Sequence, residues 1–140
     1  YLHQKGFRNV FVCDWAEKAF DHLKQKAPDF PTSNMLVGDF FDLSISVNLV
    51  LEQTFFCALP PSRRKNYVQK MAEVLSPNGK LVGLLFNISF PFEGPPFGGN
   101  KNLYIKLFKP LFQIKTMETA TNSIVPRQGN ELFIQLISKN

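Results

Sequence analysis

The chain reads as an α/β fold built on a mostly parallel sheet, with an antiparallel hairpin at its C-terminal end. Three observations predict it. Short β-rich apolar runs alternate with segments of helical periodicity as far as Lys109. One of those runs, Val47 to Leu51, is almost continuously apolar, as in a strand covered on both faces of a parallel sheet. Beyond Pro110 the pattern changes to apolar and polar residues in alternation, broken by a glycine turn, which is the mark of paired antiparallel strands.

Asn9 to Cys13 is a short run rich in β-favouring residues, opened by Gly6 and closed by Asp14, and it predicts a buried strand. A helix follows, because Ala16, Ala19, Phe20, Leu23 and Ala27 recur at helical spacing before Pro28 and Pro31 end it. Met35-Leu36-Val37 is the second strand, stopped by Gly38-Asp39, and Val47 to Leu51 is the third. From Ser62 to Leu75 the positions Tyr67, Val68, Met71, Ala72 and Leu75 make one apolar helix face, with Ser62 as the expected N-cap after two prolines. Ser76-Pro77-Asn78-Gly79 is a turn, and Leu81 to Phe86 is the fourth strand. Lys101 to Lys109 forms a short helix through Leu103, Tyr104, Leu107 and Phe108, stopped by Pro110. Phe112 and Ile114 alternate with Gln113 and Lys115, and Leu132 to Ile137 returns after the turn Arg127-Gln128-Gly129-Asn130. Strand and helix in alternation, ending in a hairpin, give a sheet with one reversed strand.

A length of 140 residues predicts one domain, and 44% hydrophobic residues suffice for a core without disulfides or metal. Fifteen Phe against three Tyr and one Trp weight that core towards aromatic packing and leave room for an apolar ligand pocket. The net charge of +5 does not predict nucleic-acid binding, because the basic residues are scattered. The one tight cluster, Arg63-Arg64-Lys65, falls at a helix start and reads as a solvated face. Cys13 and Cys57 lie far apart in apolar runs with no metal-ligand spacing, which predicts buried thiols and a reducing, cytoplasmic setting. No apolar run reaches the roughly 18 residues of a membrane span. His3 and His22 have no Ser or Cys motif beside them and read as surface residues.

Two phrases carry more information than the rest. Leu51-Glu52-Gln53-Thr54-Phe55-Phe56-Cys57-Ala58-Leu59-Pro60-Pro61 sets an acid at the end of a strand, then aromatics and a double proline. Gly94-Pro95-Pro96-Phe97-Gly98-Gly99 is a stiff turn long enough to fold over a site. With Asp14 and the Gly38-Asp39-Phe40-Phe41 turn, these phrases resemble the thiopurine and thiol (thiocyanate, halide) S-methyltransferase family. That resemblance implies a Rossmann-like methyltransferase sheet, S-adenosylmethionine as cofactor, and a small thiol or anionic acceptor.

Asp14 stands directly after a strand, where an acid accepts hydrogen bonds from both ribose hydroxyls of a nucleotide. It matches the ribose acid of the family, and the same carboxylate can also cap the helix beginning near Ala16. Trp15 beside it reads either as a face for adenine or as a packing residue. Asp39 and Phe40 resemble the family's adenine-recognising turn, with Asp39 accepting from the amino group and the Phe40 backbone meeting the ring edge; an acid in a turn is the plainer alternative. Glu52 ends the third strand at the carboxyl edge, where ligands of open α/β sheets bind. Family members often carry Asp there, and an acid attracts the cationic methionine end of the cofactor, with Gln53 and Thr54 offering hydrogen bonds. Capping of the next turn is the alternative for Glu52. Phe55, Phe56, Pro96 and Phe97 are expected to shape the acceptor pocket, aided by Phe90 and Phe92, unless they serve core packing. Phe97 occupies a position where the family often has Tyr, so the missing hydroxyl implies a more apolar acceptor or another orienting group.

A cofactor-binding α/β domain ordinarily opens with a strand and a glycine-rich turn, and neither precedes the Asn9–Cys13 run. The expectation is part of a methyltransferase domain over residues 1–140, cut from a longer protein, with a natural short form that has lost catalysis as the alternative. Methyl transfer from a sulfonium to a thiolate needs proximity and a desolvated pocket, with no obligatory acid, base or metal. Two other functions stay open: a nicotinamide-dependent oxidoreductase, which Asp14 would serve equally well, and a non-catalytic remnant of the fold. The acceptor and the oligomeric state are not encoded in any motif.

Overall fold

The computed structural model describes residues 1–140 and contains six strands and three α-helices. In order these are β1 (Val12–Asp14), α1 (Ala19–Lys26), β2 (Met35–Val37), β3 (Val47–Gln53), α2 (Arg64–Val74), β4 (Leu75–Phe86), α3 (Lys101–Phe108), β5 (Phe112–Thr119) and β6 (Glu131–Ser138). The chain divides into two compact units, Tyr1–Ser44 and Ile45–Asn140.

In the first unit β1 and β2 pair in parallel, with Asp14 opposite Val37, and form a two-stranded sheet of their own. The strand begins at Val12 rather than Asn9 and all three of its residues are only half-buried, so it is not the buried strand its apolar run predicted. The helix likewise starts at Ala19, later than the periodicity suggested, and Phe20 is its one buried residue. Phe20, Ala27 and Phe30 are the buried apolar residues of this unit, and His3, 5% exposed, meets the Phe30 ring at 5.1 Å. His3 is therefore a core residue and not a surface one. Its Nε2 lies 3.0 Å from the Asp29 carboxylate, whose charge makes the burial of an imidazole tolerable. His22 is exposed, as expected.

The second unit holds a four-stranded sheet in the order β3-β4-β6-β5. β3 and β4 are parallel, and β6 runs antiparallel to both β4 and β5, so β6 is the one reversed strand. This is the mixed topology that the alternation and the terminal hairpin predicted. β3 lies at the sheet edge, and Leu49 and Leu51 on it are 50% and 58% exposed. A covered strand on both faces was expected; the apolar run instead leaves the Leu49 and Leu51 face open. β4 is longer than the predicted strand. The Ser76–Gly79 turn loops out within it, so that Val47 pairs with Leu75 but Leu49 pairs with Lys80.

The core of this unit is aromatic. Phe56, Tyr67, Tyr104, Phe108 and Phe112 are all at most 1% exposed. Phe56 meets Tyr67 edge-on at 5.0 Å and Tyr104 at 5.6 Å, and Phe108 meets Phe112 at 5.9 Å. Such tilted pairs add about 0.5–1.5 kcal/mol each beyond the area they bury. The predicted α2 face, Tyr67, Val68, Met71, Ala72 and Leu75, is buried throughout. Two details of that helix differ from expectation. Ser62 does not cap it, since a 3₁₀ turn over Pro61–Arg63 precedes α2 and carries the chain past the serine. Arg64 is not part of a solvated face; it is 4% exposed. Both cysteines are free, Cys57 buried and Cys13 only partly so. No helix is long and apolar enough to cross a membrane.

Candidate functional site

Each unit gathers its chemistry at the carboxyl ends of parallel strands, the edge where peptide groups and loop turns face a ligand in open α/β sheets. In the first unit Asp14 ends β1 and Asp39 follows β2, and the Gly38 N–H donates to the Asp14 carbonyl at 3.0 Å, locking the two strand ends together. Asp14 Oδ1 accepts from the Ala16 N–H at 2.9 Å. Asp39 Oδ1 accepts from the Phe41 N–H at 2.9 Å, capping a short 3₁₀ turn over Phe40–Asp42. Both carboxylates thus hold one oxygen in a local turn and keep the other, Oδ2, for a further donor. Trp15 is 84% exposed beside Asp14, and Phe40 is half-buried with its ring 5.2 Å from Phe41. The structure brings Asp14, Trp15, Asp39 and Phe40 to the same end of one small sheet.

In the second unit Glu52 occupies the equivalent end of β3, but its side chain turns inward and is 4% exposed. Oε1 accepts from the N–H groups of Phe55 at 3.0 Å and Phe56 at 2.9 Å, and Oε2 accepts from the Tyr67 hydroxyl at 2.7 Å. Burial pushes the Glu52 carboxyl above its ordinary value, while the Phe56 N–H, the Tyr67 hydroxyl and the Phe55 N–H pull it back. The Tyr67 phenol is driven well up, first by complete burial and then by the neighbouring Glu52 charge. Glu52 thereby caps the turn that carries Phe55 and Phe56, the structural alternative considered for it. The close approach of β4 requires Gly83, opposite Glu52, because a Cβ there would run into the Glu52 backbone. Gln53 is exposed, and Thr54 after it has φ +66°, a left-handed conformation seldom taken by a β-branched residue.

The loop after β4 passes over this strand end. The Phe97 N–H donates to the Cys57 carbonyl at 2.6 Å, and the Gly99 N–H donates to the Ile88 carbonyl at 2.9 Å. The loop can lie this close because Gly98 has no side chain; a Cβ there would meet the Ile88 carbonyl. Between Phe90 and Gly98 it encloses a cleft of about 440 Å³ lined by Phe90, Phe92, Glu93, Pro96 and Phe97. Phe90 and Phe92 stack at 5.2 Å, giving the cleft an aromatic wall. Of the four residues predicted to shape an acceptor pocket, Pro96 and Phe97 line this cleft, Phe55 is 39% exposed, and Phe56 lies in the core at 1%.

Sequence reasoning missed Arg64, whose Nη2 donates to the carbonyls of Gly98 at 2.8 Å and Phe97 at 3.3 Å. A signal was present. Arg64 stands three, four and seven residues before Tyr67, Val68 and Met71, on the apolar stripe of the same helix.

The thiopurine S-methyltransferase family model matches residues 5–138. The Arabidopsis thaliana protein named probable thiol methyltransferase 2 is 30% identical over 130 residues, a match covering 89% of this chain and 58% of the relative. The chain thus spans somewhat over half the length of that relative. Among solved structures, a Pyrococcus horikoshii protein superposes with a TM-score of 0.75 at 17% identity, over 99% of this chain and 74% of the other. The 1,6-didemethyltoxoflavin-N1-methyltransferase of Burkholderia thailandensis, solved with S-adenosylhomocysteine bound, gives 0.73 at 15% identity over 100% and 65%. These structures share the α/β fold. With nearly its whole length matched by the family model, the chain belongs to the thiopurine S-methyltransferase family.

Proposed function

We propose that residues 1–140 form part of a methyltransferase domain that takes S-adenosylmethionine and passes its methyl group to a small thiol or related nucleophile. The observation that carries this reading is the family match over residues 5–138. The strand-end acids support it, as each of Asp14 and Asp39 keeps a carboxylate oxygen for the donors that an adenosyl group presents. On this reading Asp14 holds the ribose hydroxyls, Asp39 accepts from the adenine amino group, and the exposed Trp15 ring and the Phe40 backbone lie against the base. Glu52 fixes the turn from Phe55 to Cys57 through its hydrogen bonds to the Phe55 and Phe56 N–H groups. When bound, the cofactor supplies a methyl group already activated by its sulfonium charge. The chain's part is to bind and orient, and to exclude water through the aromatic cleft of Phe90, Phe92, Pro96 and Phe97. A thiol of low pKa reaches such a cleft already ionised, so no side chain need take its proton. The family match carries this reading over the nicotinamide-dependent alternative that Asp14 by itself would serve. The two free cysteines suit a reducing, cytoplasmic setting.

The test is calorimetric titration of S-adenosylmethionine and S-adenosylhomocysteine, with NAD as control, into two proteins. One is residues 1–140; the other carries the segment that precedes the matched region in the Arabidopsis relative, fused before Tyr1. Binding of adenosyl ligands, and not NAD, by either protein supports the reading, and methyl transfer to a panel of thiols then identifies the acceptor. If neither protein binds an adenosyl ligand, the reading is wrong and the chain is a remnant of the fold.

A further inference from the structure

Arg64 is a buried cation that makes no ion pair. Its guanidinium carbon lies 4.8 Å from the Phe56 ring centroid and 5.9 Å from that of Tyr104. Its hydrogen-bond acceptors are the carbonyl oxygens of Phe97 and Gly98, and Nε has none. A charge removed from water is held only by the groups that solvate it, and here those groups belong to the loop that walls the cleft. Displacing the loop would leave the guanidinium with two ring faces and no acceptor. The position of the loop and the start of α2 are therefore coupled through one side chain.

We propose that Arg64 is a positioning residue for the methyl acceptor: it ties residues 97 and 98 to the head of α2 and so sets the shape of the Phe90–Phe97 cleft. This rests on the methyltransferase reading for what the cleft binds, while the tie itself rests on geometry alone. Two contacts reach the loop from other elements, Arg64 from α2 and the Cys57 carbonyl from the turn that Glu52 caps, and the Ile88 carbonyl, two residues beyond β4, closes the loop on itself. Arginine suits the place because its flat, permanently charged guanidinium lies against rings and still donates in its own plane. Lysine offers a point charge with a shorter reach, and its ammonium has no flat face to lay against a ring.

Two measurements test the tie with Arg64→Gln and Arg64→Lys. The first is amide hydrogen exchange at Phe97 and Gly99 in residues 1–140, with Leu84 of the β4–β6 ladder as reference. The expected result is at least tenfold faster exchange at Phe97 and Gly99 in Arg64→Gln, an intermediate effect in Arg64→Lys, and no change at Leu84. Unchanged exchange at Phe97 and Gly99 overturns the tie, and so does equal acceleration at Leu84, which would make Arg64 a general stability residue. Should Arg64→Gln fail to fold, the lysine variant carries the comparison. The second measurement is methyl transfer to thiophenol in the cofactor-binding form of the protein. A KM for thiophenol raised about tenfold, with affinity for S-adenosylhomocysteine within twofold of wild type, is expected. Parallel loss of cofactor affinity, or an unaltered KM, overturns the positioning role. Absence of methyl transfer by the wild-type protein sinks the transferase reading instead, and the exchange rates then decide the tie by themselves.

Discussion

The Tyr67 hydroxyl donates to Glu52 Oε2 at 2.7 Å, joining the middle of α2 to the end of β3 in the interior of the second unit. Together with the Phe55 and Phe56 N–H groups it occupies both oxygens of a carboxylate that no cation approaches closely enough to pair with. The Glu52 charge is therefore held by hydrogen bonds alone, and the energetic consequences fall on pH and on Tyr67.

Burial raises the Glu52 carboxyl in the folded chain above its ordinary value of 4.5. The folded state thus binds this proton more tightly than the unfolded state. Its contribution favours folding at pH below about 4.5 and is lost as pH rises through the raised value, at about 1.4 kcal/mol per unit of displacement. In Glu52→Gln the amide oxygen still accepts from the backbone and no charge forms, so stability should fall less between pH 4.5 and neutrality than in the wild type. Urea unfolding at several pH values measures this, and identical pH slopes in the two proteins would contradict it.

Tyr67→Phe removes one donor and leaves a buried carboxylate oxygen without a partner. The expected loss is about 1.5–3 kcal/mol at neutral pH, the usual worth of a hydrogen bond to a charged group. The loss should shrink in acid, where Glu52 is protonated. A deficit below about 0.5 kcal/mol at neutral pH would mean that water replaces the hydroxyl.

Thr54 holds φ +66° directly after the strand end, a conformation that costs a β-branched residue about 1–3 kcal/mol. Thr54→Gly relieves that strain at the expense of backbone entropy and of the hydroxyl's bond to the Gln53 carbonyl, at 2.6 Å. A net gain of about 1 kcal/mol in chemical denaturation is expected. A net loss would show that the side chain's own contacts outweigh the strain.

Gly83→Ala places a Cβ against the Glu52 backbone in the penultimate pair of the β3–β4 ladder. Neither strand can move without breaking the sheet, so a loss of about 3 kcal/mol or more is expected, seen as a lowered urea midpoint or as insoluble protein. Wild-type stability would mean that β3 shifts freely at the edge.

Asp14→Asn is expected to weaken S-adenosylhomocysteine binding about tenfold, or roughly 1.4 kcal/mol, with little change in stability. The Asn oxygen still accepts from the Ala16 N–H, so the local turn survives while the second charged acceptor is lost. Calorimetry on the cofactor-binding form decides it; unchanged affinity would remove Asp14 from the ribose site.

The strand and helix order, the reversed strand and the aromatic core were legible because each depends on periodicity within a few residues. Asp14, Asp39 and Glu52 were legible as strand-end acids for the same reason, since a strand and the turn that stops it are neighbours in sequence. Their surroundings were not. The Glu52 side chain turns inward because Tyr67, fifteen residues on, brings a hydroxyl to it. His3 is buried because Phe30 and Asp29 reach it from beyond α1.

Arg64 marks the limit most clearly. Its partners are backbone carbonyls thirty-three and thirty-four residues away, and a carbonyl is the same group in every residue, so no side-chain pattern announces it. The sequence by itself determined which segments become strands and helices and which acids stand at their ends, because local sterics and apolar spacing act over a few residues. Only the tertiary structure decided which charges leave water and what solvates them there, because burial is settled by groups that the chain brings together from far apart.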